Sequence, residues 1–130
     1  MAEYKEKKSR YQQIKGELRM LENNKRLTYS GEEIIEVLKE VEIILRSLHK
    51  QGSYYAEFID DNGKLDKEKE REYFSETTHF IDDWKVTQRL AKIRMILSQK
   101  FDNTLGDDDM DDLERAMEGL KYWNKPKNRH

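Results

Sequence analysis

The sequence has no cysteine and a single proline, Pro126, close to its C-terminal end. Without cysteine the chain forms no disulfide, no thiolate metal site and no cysteine nucleophile. A long stretch without proline, in which Val and Thr are scarce, favours helix over sheet. No apolar run approaches the roughly 20 residues of a membrane helix, and the charged segment Met1–Arg10 is unlike a signal peptide. These absences predict a cytoplasmic protein that does not enter a membrane.

Charged residues dominate what is present. They make up 40% of the 130 residues, apolar residues make up 35%, and 25 basic against 27 acidic side chains leave a net charge of −2. The length suits one domain, and the low apolar content predicts a small core. We therefore expect a single helical domain over residues 1–123 and a disordered C-terminal tail over residues 124–130.

Apolar residues recur at helical spacing along most of the chain, which predicts an all-α fold, a compact bundle of about five helices. The first helix is predicted from a stripe of apolar and aromatic residues, namely Tyr4, Tyr11, Ile14, Leu18 and Leu21. Near residues 53–63 a short hairpin or an extended segment is also compatible with the sequence.

The second helix has the clearest start signal. Ser30 is suited to cap it, and Glu33, three residues later, completes a capping box. Its broad apolar stripe marks it as the central helix, and Gly52 is its expected C-terminal stop. We expect four residues of the stripe to form the core of the bundle, namely Leu38, Val41, Leu45 and Leu48.

Three further helices follow from caps and phase. Asp66 is expected to cap the third helix. The apolar residues from Val86 to Phe101 lie on nearly the opposite side of a helical wheel from Phe80, Ile81 and Trp84, so a break at Asp82 or Asp83 is predicted. The last helix is expected to begin near residues 106–109 and to end in a basic tail, which suits the helix dipole.

The charges are unevenly distributed. Residues 84–101 carry five basic side chains and no acid, and Lys85, Arg89 and Lys92 project from one side of the predicted helix. This stripe either pairs with acidic neighbours of the same bundle or forms a docking surface for an acidic partner or a phosphate backbone. The acidic run that includes Asp108 and Asp109 is either a solvated first turn or a surface for a basic partner.

Aromatic residues are the other candidates for partner contacts. Tyr54 and Tyr55 are adjacent, and Trp123 lies near the C-terminal end. Tyr and Trp are enriched at protein interfaces, so these three side chains are candidate anchors for a partner. In a small bundle the same residues could instead form the core and its rim.

One acidic pattern suggests chemistry. Glu33-x-x-Glu36 is followed by Glu57-x-x-Asp60, and residues three apart share one face of a helix. The pattern resembles the metal-binding motif of the all-α nucleotide pyrophosphohydrolases related to MazG. That resemblance implies carboxylates that hold magnesium against a nucleoside triphosphate. A capping role for Glu33 is the competing interpretation.

The predicted function is interaction with another protein, without catalysis, metal or cofactor. The size, the charge and the lack of a nucleophile–base arrangement fit an inhibitor, immunity protein, antitoxin or regulator of the kind that bacteria and phages encode. The first alternative is a nucleic-acid-binding protein that uses the basic stripe of residues 84–101. The second is the metal-dependent pyrophosphohydrolase. A dimer formed through the first helix is compatible with all three.

Overall fold

The structure, a computed structural model, describes residues 19–127, and helices account for 60% of them. Three long helices and a short one follow a single 3-10 turn at Glu22–Asn24, and they are α1 (Gly31–Ala56), α2 (Lys67–Asp83), α3 (Val86–Ser98) and α4 (Asp112–Met117). No β-strand occurs between residues 19 and 127. The all-α prediction is therefore confirmed in outline, whereas the five-helix bundle is not matched. The first predicted helix lies almost entirely outside the described residues.

The chain divides into two compact units. One unit, Tyr29–Gln99, contains α1, α2 and α3, and the other includes the described residues 19–28 and 100–127 and contains α4. The single domain over residues 1–123 stays a prediction. The tail over 124–130 also stays a prediction, and residues 128–130 lie outside the described part.

The start of α1 follows its local sequence. The Ser30 hydroxyl accepts a hydrogen bond from the Glu33 amide at 3.1 Å, and the Glu33 carboxylate accepts one from the Ser30 amide at 2.9 Å. This reciprocal pair satisfies two backbone donors that the first helical turn leaves without partners. The predicted capping box is confirmed.

The end of α1 differs from the prediction. The helix continues through Gly52 to Ala56, because its last turn is held by a tertiary contact. Tyr55 is buried, its ring stacks on Tyr73 with centroids 4.7 Å apart, and its hydroxyl donates a hydrogen bond to Glu72 at 2.9 Å. Packing against α2 thus overrides the tendency of glycine to end a helix.

The short hairpin that the sequence allowed near residues 53–63 is present only in minimal form, as a tight turn closed by an antiparallel bridge. The Asp60 amide donates to the Lys64 carbonyl at 2.8 Å, and Gly63 has a φ of 77°. Extended pairing is limited to one bridge between Ile59 and Leu65. Asp66 caps α2 as predicted, since its carboxylate accepts a hydrogen bond from the Lys69 amide.

The predicted break between α2 and α3 is present, two residues long. Asp83 ends α2 and Val86 begins α3, but no aspartate caps the second helix. Lys85 occupies that position in the left-handed region, with φ of 51°. Arg89 donates to the Trp84 carbonyl at 2.8 Å, which satisfies a backbone acceptor at the break.

The first unit is an antiparallel helical hairpin with a broken second arm. From the C-terminal end of α1 to its N-terminal end, the residues of α1 contact residues that come progressively later in α2 and then in α3. The contacting pairs are Tyr55–Glu72, Gln51–Thr77, Glu40–Arg89 and Glu36–Lys92. The α2 and α3 helices therefore follow one another along α1. Together the three helices form one layer.

The predicted core is wrong because the three helices form a single layer. Leu38, Leu45 and Leu48 are 52%, 57% and 44% exposed, and Val41 is only half-buried. Two adjacent helices bury only the residues on the line between them, and a second layer is needed to cover the rest. The buried apolar residues of this unit are Tyr55, Phe80 and Ile96.

In the second unit α4 begins later than predicted, at Asp112. Residues 106–110 form a turn instead, closed by a hydrogen bond from the Gly106 amide to the Met110 carbonyl, and Asp109 has a φ of 61°. Asp111 then caps α4 in a second capping box, with Glu114. The acidic run favours this turn because short acidic side chains accept local backbone hydrogen bonds.

A buried polar network connects distant segments of this unit. Asp112 is 2% exposed, and its carboxylate accepts hydrogen bonds from the Leu21 amide at 2.7 Å, the Asn24 side chain at 2.8 Å and Arg115 at 2.9 Å. Asn24 also exchanges two hydrogen bonds with the backbone of Asp102. These bonds fix the segment around residues 21–24 against α4.

Asp112→Asn tests this network. The amide would turn N–H donors toward the donors of Leu21, Asn24 or Arg115, so we expect the free energy of unfolding to fall by about 2–4 kcal/mol. The control is Asp107→Asn, because Asp107 is exposed and its pair with Arg19 contributes about 0–1 kcal/mol. Urea denaturation followed by circular dichroism measures both, and equal losses would contradict the assigned role of Asp112.

Candidate functional site

The basic stripe of the second arm faces α1. Arg89 contacts the Glu40 carboxylate at 3.0 Å, and Lys92 contacts Glu36 at 3.0 Å and Glu40 at 3.4 Å. The interpretation that these basic residues pair within the fold is therefore confirmed for Arg89 and Lys92. Lys85 is exposed at the break between α2 and α3.

These contacts change the ionisation of both partners. Burial would by itself raise the pKa of Glu40, but hydrogen bonds from Arg89 and Lys92 outweigh it and hold that pKa below its usual value. The hydrogen bond to Glu36 is the main reason why the pKa of Lys92 is raised. Glu40 and Lys92 are therefore both stabilised in their charged forms, and these two charges compensate one another.

The position of Glu40 determines which side of α1 is free. At about 100° per residue, the exposed stripe of α1 is centred roughly 110° around the helix from the line that carries Glu40. The stripe consists of Ile34, Leu38, Val41, Leu45 and Leu48, with steps of four, three, four and three residues. That is the heptad spacing of a helix that packs along a second helix. No helix of the hairpin covers it.

The second arm exposes apolar residues on the same side. On each helix of the second arm, two exposed apolar residues lie about 100–110° around the helix from the residues that contact α1, in the same rotational sense as the stripe of α1. They are Phe74 and Ile81 of α2, and Leu90 and Leu97 of α3. In antiparallel helices, equal offsets in the same sense point to one side of the pair. The stripes of the two arms therefore form one continuous surface.

We name this surface the apolar face. It comprises eight large side chains that are each 43–62% exposed, namely Ile34, Leu38, Leu45, Leu48, Phe74, Ile81, Leu90 and Leu97. Together they present on the order of 700 Å² of apolar surface, above the 300–600 Å² of the largest patch on a typical monomer. Outside this face Ile35, Trp84 and Met95 are exposed to a similar degree.

The opposite side of the hairpin carries both charged and apolar residues. It contains an open, mostly apolar groove of about 600 Å³, which extends to Leu38 at the edge of the apolar face and whose rim carries Lys39, Arg46 and Lys50. Trp84 lies against this groove, together with Ile43 of α1. Arg46 is hydrogen-bonded to Glu42 within α1.

Comparisons with protein-family models, with curated proteins and with solved structures found no match. The apolar face is therefore interpreted from its own geometry. Within residues 19–127, no helix is long and apolar enough to cross a membrane.

The acidic residues of the predicted metal motif do not converge. Glu33 belongs to the capping box, Glu36 is bound by Lys92, and the Asp60 carboxylate accepts the amides of Asn62 and Lys64. The described part of the chain contains no group of three or more side chains placed to hold a metal ion.

The remaining predicted partner residues are separated. Tyr55 is buried by its contacts with α2, whereas its neighbour Tyr54 is half-exposed, with its ring against Phe58. Trp123 is highly exposed and belongs to the other unit. Their role in partner binding stays a prediction.

The acidic candidates also belong to that other unit. Asp108 accepts two hydrogen bonds from Arg115, which are the main reason why its pKa lies well below the usual range. Asp109 is exposed in the turn that precedes α4. The structure thus gives Asp108 a local structural partner, and its partner-binding role stays a prediction as well.

The sequence analysis identified the stripe of α1 but missed its exposure and its continuation onto α2 and α3. One signal was available. The spacing of four, three, four and three residues is typical of a helix–helix seam, and Val86, Leu90, Ile93 and Leu97 repeat it. That spacing indicates packing against helices but does not say whether those helices belong to the same molecule.

Glu40→Gln tests the contact that orients the hairpin. The glutamine keeps the shape but loses the charge that compensates Arg89, so we expect the free energy of unfolding to fall by about 1–3 kcal/mol. Glu42→Gln is the matched control, because its exposed pair with Arg46 contributes about 0.3–0.5 kcal/mol. Urea denaturation at one fixed protein concentration compares them. A smaller loss for Glu40→Gln than for the control would refute the assignment.

The pH dependence of Tyr55 tests the end of α1. Burial, together with the hydrogen bond to Glu72, raises the pKa of Tyr55 to about 12. The neutral phenol is thus favoured in the folded state. Its contribution to stability is complete below the unfolded-state pKa near 10 and is lost as pH rises toward 12.

The measurement is an alkaline titration of tyrosinate absorbance. We expect one of the seven tyrosines to ionise near pH 12, and Tyr55→Phe to remove that step. Tyr54→Phe should leave it in place. A titration curve in which Tyr55→Phe removes no late step would contradict the buried contact.

Proposed function

We propose that this protein acts by binding a protein through the apolar face, and that it has no catalytic activity. The observation that carries the proposal is the exposure of eight large apolar side chains on one side of the hairpin. At about 25 cal/mol per Å², covering such a surface is a substantial driving force for association. Large apolar patches on a folded protein are typical of interaction sites.

The shape of the face indicates the kind of partner. Its residues follow helical ridges with heptad spacing on α1 and α3, so a partner that offers helices can insert its side chains between them. An inhibitor, immunity protein, antitoxin or regulator could each work through such a helix-packing surface. The proposal therefore concerns the mode of action, namely association through helix faces.

The alternatives have less support. Nucleic-acid binding was suggested by the basic stripe, but Arg89 and Lys92 are bound to carboxylates of α1. Nucleotide hydrolysis was suggested by four acidic residues, and three of them, Glu33, Glu36 and Asp60, are held in separate hydrogen bonds. Neither alternative is favoured by a specific contact.

Site-specific photo-crosslinking in the source cell tests the proposal. A photoreactive amino acid replaces Leu90, which is on the apolar face, or Gln88, which is exposed on the polar side of the same helix. We expect irradiation to join position 90 to protein and to yield far less adduct from position 88. Equal adduct formation, or no protein adduct from position 90, would count against the proposed function.

A further inference from the structure

We infer that the apolar face is covered by a second copy of this chain, so that two hairpins pack face to face as a symmetric dimer. This inference rests on the proposed function and names the partner of that face. Two paired hairpins supply four helical arms around one shared core, the arrangement of a four-helix bundle. The contact uses the same surface on both copies, as a two-fold axis requires.

The first argument is area. The eight side chains present on the order of 700 Å² per copy, and a stable interface of standard size takes about 800 Å² from each partner. Neighbouring half-buried residues such as Val41 and Ile93 add to the contact. The face is therefore large enough for a dimer without any additional element.

The second argument is the missing layer. Stable domains bury their apolar side chains between at least two layers, and this hairpin is a single layer. It buries three apolar residues and leaves eight large ones half-exposed on the apolar face alone. A second copy is available wherever the protein is made, and it supplies a layer of matching size and spacing. The hairpin thus gains its core by pairing.

The third argument is charge. None of the eight side chains is ionisable, so bringing two copies together buries no like charges within the face. The charged residues Lys39 and Arg46 of α1 lie on the rim of the groove on the opposite side of the hairpin, so they also stay outside the contact.

The mass of the purified full-length chain in solution gives the first test. Sedimentation equilibrium over a range of concentrations is expected to give twice the chain mass. Leu45→Glu should raise the dissociation constant by at least about 100-fold, because an unpaired carboxylate would enter the contact. Gln88→Glu is the control, and it should leave the dimer intact. A wild-type chain that stays monomeric at about 100 µM overturns the inference.

A second measurement does not depend on how well Leu45→Glu folds. The chain has no cysteine, so a single one can be introduced without background. With a bis-maleimide reagent, which spans a longer distance than a disulfide, we expect Leu45→Cys to be joined into a covalent dimer, and Gln88→Cys to form far less. Equal crosslinking of the two variants would overturn the inference.

The photo-crosslinking products distinguish this inference from the proposed function. An adduct of twice the chain mass at position 90 supports both. A monomeric chain whose position 90 captures a different protein overturns the dimer and leaves the proposed function standing. A monomeric chain whose position 90 reacts only within its own chain, or with no protein, overturns both.

Discussion

The contact of Glu40 with Arg89 and Lys92 decides how the hairpin is oriented. Glu40 is buried on the line between α1 and the second arm, where a hydrophobic residue would be expected. Arg89 and Lys92 of α3 compensate the charge of Glu40, so the side of α1 that carries Glu40 must face α3. The apolar stripe of α1 lies on another side of the helix and is therefore directed outward. The exposure of the apolar face follows from this one ionic contact.

Sequence reasoning succeeded where the cause was local. The capping box of Ser30 and Glu33, the cap at Asp66 and the break before Val86 each depend on a few neighbouring residues. It failed where distant contacts decide. Stacking of Tyr55 on Tyr73 carries α1 past Gly52, and this contact leaves no signature within one segment. The late start of α4 has a local cause, because the acidic run forms a turn at residues 106–110 instead of a first helical turn.

The sequence indicated which residues of α1 pack against other helices but not that they are exposed, and the reason is physical. A helix stripe that packs inside its own domain and one that packs against another molecule contain the same residues at the same spacing. Leu38 and Leu45 were therefore recognised as packing residues but assigned to the core. To decide whether the stripe packs inside the domain or against another molecule, one must know which residue pairs with Glu40, because the burial of its carboxylate fixes the rotation of α1. That partner lies about fifty residues away, on α3.

Both units use a buried carboxylate to fix local geometry, Glu40 in the hairpin and Asp112 in the unit that contains α4. A charged hydrogen-bond acceptor has few acceptable arrangements, so it specifies register more strictly than apolar contact does. In the hairpin, the use of polar contacts to specify register affects association. Polar contacts hold the arms in register and bury little apolar surface, which leaves the apolar side chains available to stabilise an intermolecular contact. Covering the face would then stabilise the folded state by mass action, so folding and binding would be coupled.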